Sequence, residues 1–238
     1  MLELIDRVAV ISGASGNLGQ AVVRTFFDAG AKLVLIARST GRMQGMFSDL
    51  ANSDEHLFAE GVDLLDPDAV KAAAEEAVNR YGRIDILVNA AGGYQAGEPT
   101  HEMDLKTWDF MLDLNARTVL IAAQAVVPYM IEGNSGKIIS VAARPGLKGG
   151  GYMSAYSVSK SAVIRLVESM SVELKEHNIN VNCIIPGTID TPQNREALPD
   201  AKFHRWVTPE ALAEVILFLA SSSSRAIHGA AIPVYGLS

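Results

Sequence analysis

The sequence predicts an α/β protein, a doubly wound parallel sheet of seven strands with helices on both faces, over a single domain spanning 1–238. Three observations carry that expectation. Short β-branched runs alternate with longer helical patterns along the whole chain. The composition is 49% hydrophobic but only 6% aromatic, which suits a sheet buried between helices rather than a sandwich. A glycine-rich turn also follows the first strand directly, where such a sheet holds its ligands.

Taken in order, RVAVIS (7–12) is an apolar run of strand length, and a helical pattern follows near 18–29. KLVLIA (32–37) is the second strand, with a helix near 41–51 behind it. HLFAEGV (56–62) is the third. Pro67 directly after Asp66 then starts a helix at 67–81, because proline suits the first helical position. IDILVNA (84–90) leads to a long helix at 105–131, and GKIISVA (136–142) to another at 155–177. INVNCII (179–185) precedes a helix at 208–222 opened by Thr208 and Pro209, and AAIPVYG (230–236) is the last strand. Alternation of this kind gives parallel strands joined by right-handed crossovers. Ligands then gather at the carboxyl ends of the strands, near the switch in strand order.

Charge and composition narrow the partners. A formal charge of −7 without a basic cluster argues against nucleic acid or an anionic membrane. No apolar run reaches the ~20 residues of a membrane span. The start MLELIDRVAV carries acids and lacks a basic n-region, so we expect no signal peptide and a cytoplasmic protein. Cys183, the single cysteine, falls in an apolar run and reads as a buried thiol in a reducing compartment. The five histidines show no ligand spacing, so no metal is expected.

The chemistry-bearing residues follow strands. In SGASGNLG, Gly13, Gly16 and Gly19 let the backbone turn tightly and approach a pyrophosphate, while the next helix offers N–H groups and a positive dipole end. Ser15, Asn17 and Leu18 complete that cradle. Tyr156 and Lys160 stand one helical turn apart and face the same way. A phenol of pKa about 10 is a poor acid–base catalyst near neutrality, and a nearby ammonium draws it down.

SGASGNLG, NAAG at 89–92, Asn115, Tyr156-x-x-x-Lys160 and PGTIDTP at 186–192 together resemble the short-chain dehydrogenase/reductase superfamily, across essentially the whole chain. The resemblance implies a Rossmann fold and an NAD(P)-dependent oxidoreductase acting on a small-molecule substrate. It assigns Tyr156 as the acid, with Lys160 also holding the nicotinamide ribose and Asn115 holding a water that leads to Lys160. It puts Asp63 and Leu64 at the adenine, Asn89, Ala90, Ala91 and Gly92 under the cofactor, and Pro186, Gly187, Ile189 and Thr191 beside it. A homodimer or homotetramer through the helices at 105–131 and 155–177 is a further implication. NAD-binding relatives place an acid after the second strand, whereas this chain has Ala37 and then Arg38. A guanidinium pairs with a 2′-phosphate, so NADP(H) is favoured over NAD(H).

The family's serine stands thirteen residues before the tyrosine, and that position is Ala143. Ser140 lies three earlier on the strand and points to the opposite face; Ser154 is a possible substitute. Losing one oxyanion donor costs on the order of 10²–10³ in rate, a deficit for ketones but a smaller one for a conjugated C=N acceptor. GGYQAG at 92–97, AARPGLKGGGYMSAYSVSK and TIDTPQNREALPDAKFHRW at 188–206 resemble the dihydropteridine reductases, which also carry alanine there. Those enzymes use NADH, with an acid after the second strand, and lack the asparagine and NAAG. Tyr94, Ala143, Arg144, Tyr152 and Trp206 are expected to wall a loop-built substrate pocket, with Tyr94 or Trp206 either stacking on a planar ring or simply packing the lid, and Arg144 facing an acidic or enolic group. The alternative is a redox-inert NADP(H)-binding regulatory protein of the same fold.

Overall fold

A computed structural model describes residues 3–237. Its seven strands are β1 (Val8–Ser12), β2 (Lys32–Ala37), β3 (Leu57–Glu60), β4 (Ile86–Asn89), β5 (Gly136–Val141), β6 (Ile179–Pro186) and β7 (Ala231–Val234). They form one sheet in the order β3-β2-β1-β4-β5-β6-β7, and every pairing is parallel. The order therefore switches between β1 and β4, and the crevice opens above that pair.

Period-two alternation sends Val8 and Val10 to one core and Ala9 and Ile11 to the other. The first core is covered by α4 (Pro67–Tyr81), α6 (Thr118–Glu132) and α7 (Ser154–Leu174). The second is covered by α1 (Asn17–Asp28) and α9 (Pro209–Ala220). Both proline-led starts are capped: Asp66 accepts from the N–H groups of Asp68 and Ala69, and Thr208 from Ala211.

Four expectations change. The helix expected at 41–51 is two pieces, α2 (Arg42–Met46) and α3 (Ser48–Ala51), because Phe47 leaves helical backbone (φ −127°) to bury its ring. The helix at 105–131 comprises α5 (Leu105–Leu112) and α6, joined by a π turn over Asp113–Arg117. Contrary to expectation, the whole stretch Leu105–Glu132 is long and apolar enough to cross a membrane by length and composition. Half of its most apolar window is buried within the fold, as for a core helix. Finally, the segment expected as loop after β6 contains α8 (Pro192–Ala197), capped by Thr191, whose Oγ1 accepts from Asn194 N at 3.2 Å.

Candidate active site

The glycine-rich turn is tight for a steric reason. Gly13 has φ +70°, and a Cβ on it would lie 2.6 Å from Ala91 N, just beyond β4. A Cβ on Gly19 would come within 2.0 Å of the Gly13 carbonyl oxygen. Only glycine lets this loop press against both β4 and its own helix. Gly16 N donates to Gly13 O at 3.0 Å, and no side chain caps α1. The first-turn N–H groups of Asn17, Leu18 and Gly19 have no intrahelical partner by geometry, so the cradle fits a pyrophosphate. The Ser15 carbonyl accepts from Gln20, and the Asn17 amide donates to Gln193 Oε1 at 2.8 Å, tying α8 to the phosphate loop. A groove of about 870 Å³ runs beneath that bridge between α1 and the 190–195 segment; Tyr156 is not in its lining.

Arg38 is exposed at the end of β2 and has no ion-pair partner among the described residues. A carboxylate does stand near it, from the neighbouring strand: Glu60 pairs in register with Ala37. Its two oxygens accept from Gly41 N at 2.6 Å and Met43 N at 3.0 Å. Sequence reasoning missed Glu60 because it was read inside a longer strand; only the parallel register brings it beside β2. Asp63 is turned locally, its Oδ1 accepting from Leu65 N at 3.0 Å, with Leu64 packed against the core.

On the other side of the crevice, Asn89 donates to Ser140 Oγ at 3.2 Å and its buried Oδ1 lacks a partner. Ala90 N bonds Ser12 O, which holds NAAG against β1. A Cβ on Gly92 would lie 2.8 Å from Asn115 Oδ1 and 3.1 Å from Lys160 Nζ, so these three groups converge. The space a larger residue would fill at Gly92 is thus kept open above the sheet.

Asn115, fully buried in the π turn, spends its whole side chain on protein. Oδ1 accepts from Gly93 N at 3.0 Å, while Nδ2 donates to Gly93 O at 3.1 Å and Ser159 Oγ at 3.0 Å. Ser159 Oγ in turn donates to the Tyr156 carbonyl at 2.8 Å. The side chain is therefore a strut between the Gly93 loop and α7. π turns inserted in α-helices concentrate at functional sites. Ser159 carried no sequence signal for this part.

Lys160 Nζ is buried and donates to Val141 O at 2.9 Å, and burial pushes its pKa down to about 8. The Tyr156 phenol goes the other way from expectation, up to about 12, because burial disfavours the phenolate and Tyr94 adds to it. The rings of Tyr94 and Tyr156 meet edge to face at 4.9 Å. With Nζ turned to Val141 and Gly92, the ammonium does not draw the phenol down in this arrangement. Cys183 is buried as expected, its thiol pushed up to about 12 by desolvation.

Ser140 is fully buried under Asn89, and Ser154 Oγ accepts from Thr100 at 3.2 Å. Ala143 is buried in extended backbone at the head of a 3₁₀ turn. Arg144 lays its guanidinium over the Tyr235 ring at 5.0 Å. Tyr94 and Tyr152 are both exposed, and Tyr152 adopts a left-handed φ of +62°, its carbonyl accepting from Gly97 N. Trp206 packs on Phe203 at 4.9 Å within its own segment. Gly187 N bonds Val234 O just after Pro186, and an isolated bridge pairs Ile189 with Val207, which anchors both ends of the lid. Arg195 grips Asp190 through two bonds of 2.6 and 2.7 Å; this pair was also not foreseen.

Comparison with known proteins bears on this geometry. The family model for short chain dehydrogenase matches residues 7–202. The 3-oxoacyl-[acyl-carrier-protein] reductase of Thermotoga maritima is 31% identical, over 99% of this chain and 98% of its own. The 2-dehydro-3-deoxy-D-gluconate 5-dehydrogenase of Escherichia coli is 33% identical, over 98% and 96%. A solved short-chain type dehydrogenase/reductase from Mycobacterium ulcerans superposes with a TM-score of 0.92 at 24% identity, covering 99% of this chain and 90% of that one, which supports the fold alone.

Proposed function

The chain belongs to the short-chain dehydrogenase family of NAD(P)-using oxidoreductases, and we propose that 1–238 works as one NADP(H)-dependent reductase domain for a small conjugated acceptor of the dihydropterin type. The observation that carries this reading is a half-buried phenol, Tyr156, one turn from a buried ammonium, beside a crevice with no hydroxyl at position 143. When bound, the reduced cofactor supplies hydride, that is, two electrons and one proton. The chain supplies the rest. Gly13 to Gly19 bind the pyrophosphate through backbone N–H groups, and Arg38 takes the 2′-phosphate. Asn89 to Gly92 floor the crevice, and Lys160 holds ribose oxygens.

Tyr156 Oη gives up its proton to the acceptor as hydride arrives, and recovers one from solvent. Burial, which pushes the phenol up to about 12 in the ligand-free chain, keeps it protonated at neutral pH, and easy release of that proton requires the Lys160 ammonium to face it. A conjugated C=N acceptor develops no alkoxide and asks mainly for that proton, so Ala143 costs it little. The exposed Tyr94 ring, already edge-on to Tyr156, offers a planar acceptor a surface. Assembly into a homo-oligomer through α5–α7 is supported by exposed Phe110, Leu120, Val158 and Val172.

Single-turnover oxidation of bound NADPH against a panel of quinonoid and ketone acceptors tests the reading. Oxidation led by quinonoid acceptors supports it. Oxidation led by ketones refutes the substrate class, and none with any acceptor favours the redox-inert regulator.

A further inference from the structure

The amino ends of the strands, opposite Tyr156, enclose a cleft of about 320 Å³, at the small end of ligand-pocket sizes. Its charge runs against that of the chain. Arg7, Lys137, Lys175 and Arg225 line it, against Glu3 and Asp85, in a protein of net charge −7. Asp85 is already satisfied: Arg7 reaches Oδ1 at 2.9 Å, Arg83 the same oxygen, and Val8 N donates to Oδ2 at 2.9 Å.

Lys137 is the unusual member. It is half-buried, and its Nζ donates only to neutral oxygens, Asn180 Oδ1 at 2.8 Å and Ser224 Oγ at 3.3 Å. Among the described residues, Lys137, Lys175 and Arg225 have no carboxylate partner. Burial and the charge of Arg7 both push the Lys137 pKa down, the sign of a cation held without a counter-ion. Buried charges are ordinarily paired. Asn180 fixes the floor, its Nδ2 contacting Arg225 O, Ile227 O and His228 Nε2 within 3.0 Å. Part of the donor set is thus held in place before any ligand arrives.

We infer that this cleft binds a small phosphate dianion, inorganic or as a simple monoester, with Lys137 at its centre and Lys175 and Arg225 at its rim. Four cations lining one cleft against two acids, one of them already satisfied, match a dianion's charge better than a monoanion's. The site is separate from the cofactor cradle, at the other end of every strand.

Calorimetric titration with inorganic phosphate, and separately with glycerol phosphate, tests this at constant ionic strength. NADP⁺ is kept saturating so that the α1 cradle is filled. One phosphate per chain is expected, weakened about tenfold or more in Lys175→Gln/Arg225→Gln and further in Lys137→Gln. Lys71→Gln, on α4, should bind as wild type does. The tighter of the two probes identifies the source of the phosphate. No saturable binding of either probe up to about 10 mM, unchanged affinity in the rim variant, or equal weakening by Lys71→Gln overturns the assignment. The rim residues are exposed, so their variant remains decisive even where Lys137→Gln does not fold.

Discussion

Replacing Gly13 by alanine tests whether the cofactor cradle is built by close backbone approach. Gly41 is its control. Both have left-handed φ, +70° and +73°, which costs an L-residue about 1–2 kcal/mol. They differ in surroundings. A Cβ on Gly41 meets nothing within 4 Å, whereas one on Gly13 meets Ala91 N at 2.6 Å and Ala91 Cα at 2.7 Å, both backbone atoms. Forcing such an overlap costs about 1–3 kcal/mol more. Gly13→Ala should therefore lose about 2–5 kcal/mol and Gly41→Ala about 1–2. At ~2–4 °C per kcal/mol for a chain of this size, the melting temperatures fall by about 4–20 °C and 2–8 °C. Urea unfolding of the ligand-free proteins measures the difference. Gly13→Ala also pushes the loop off β4, so dinucleotide affinity should fall with stability, whereas Gly41→Ala leaves the phosphate loop untouched. If Gly13→Ala is no less stable than Gly41→Ala, the steric account of the cradle is wrong.

Arg38→Asp should reverse cofactor preference from NADPH to NADH in binding titrations; equal affinity of the wild type for the two would remove the role given to Arg38. Ala143→Ser should raise ketone reduction by up to about 10²–10³ and barely change a quinonoid acceptor; no gain with ketones would mean that another donor already fills the place. Lys160 titrates at about 8 when folded, against an ordinary 10.5, so between those values the unfolded chain carries the extra proton and stability rises with pH. Lys160→Met should lack that rise, up to about 1.4 kcal/mol per pH unit, when urea midpoints of the ligand-free proteins are compared from pH 8 to 10. Parallel pH profiles in the two proteins would show that Nζ is not buried as described.

What the sequence made legible was whatever local pattern encodes. Strands buried on both faces, such as β1 and β2, read as apolar runs, and all seven strands fall on the segments read from the sequence, although β3 and β7 are only partly buried. The Pro67 and Pro209 helix starts were equally plain. The break at Phe47 was not, because burial of one ring decided it against a helical pattern. At the site, residue types and spacing pointed to Tyr156, Lys160 and Gly13, since their chemistry is carried by identity. Their partners were illegible, being set by register and packing. Glu60 comes beside Ala37 only through strand pairing, Tyr94 meets Tyr156 from a distant loop, and Lys160 finds the Val141 carbonyl rather than the phenol.

The central claim is that the Tyr156 hydroxyl delivers the proton that accompanies hydride. Tyr156→Phe keeps the ring and its edge contact with Tyr94 while deleting only the donor. Single-turnover oxidation of pre-bound NADPH by the best acceptor, with NADPH affinity measured on the same samples, is the direct measurement. The account predicts near-complete loss of oxidation with affinity nearly intact. A Tyr156→Phe protein that keeps most of the wild-type rate would contradict it and assign the proton to another group.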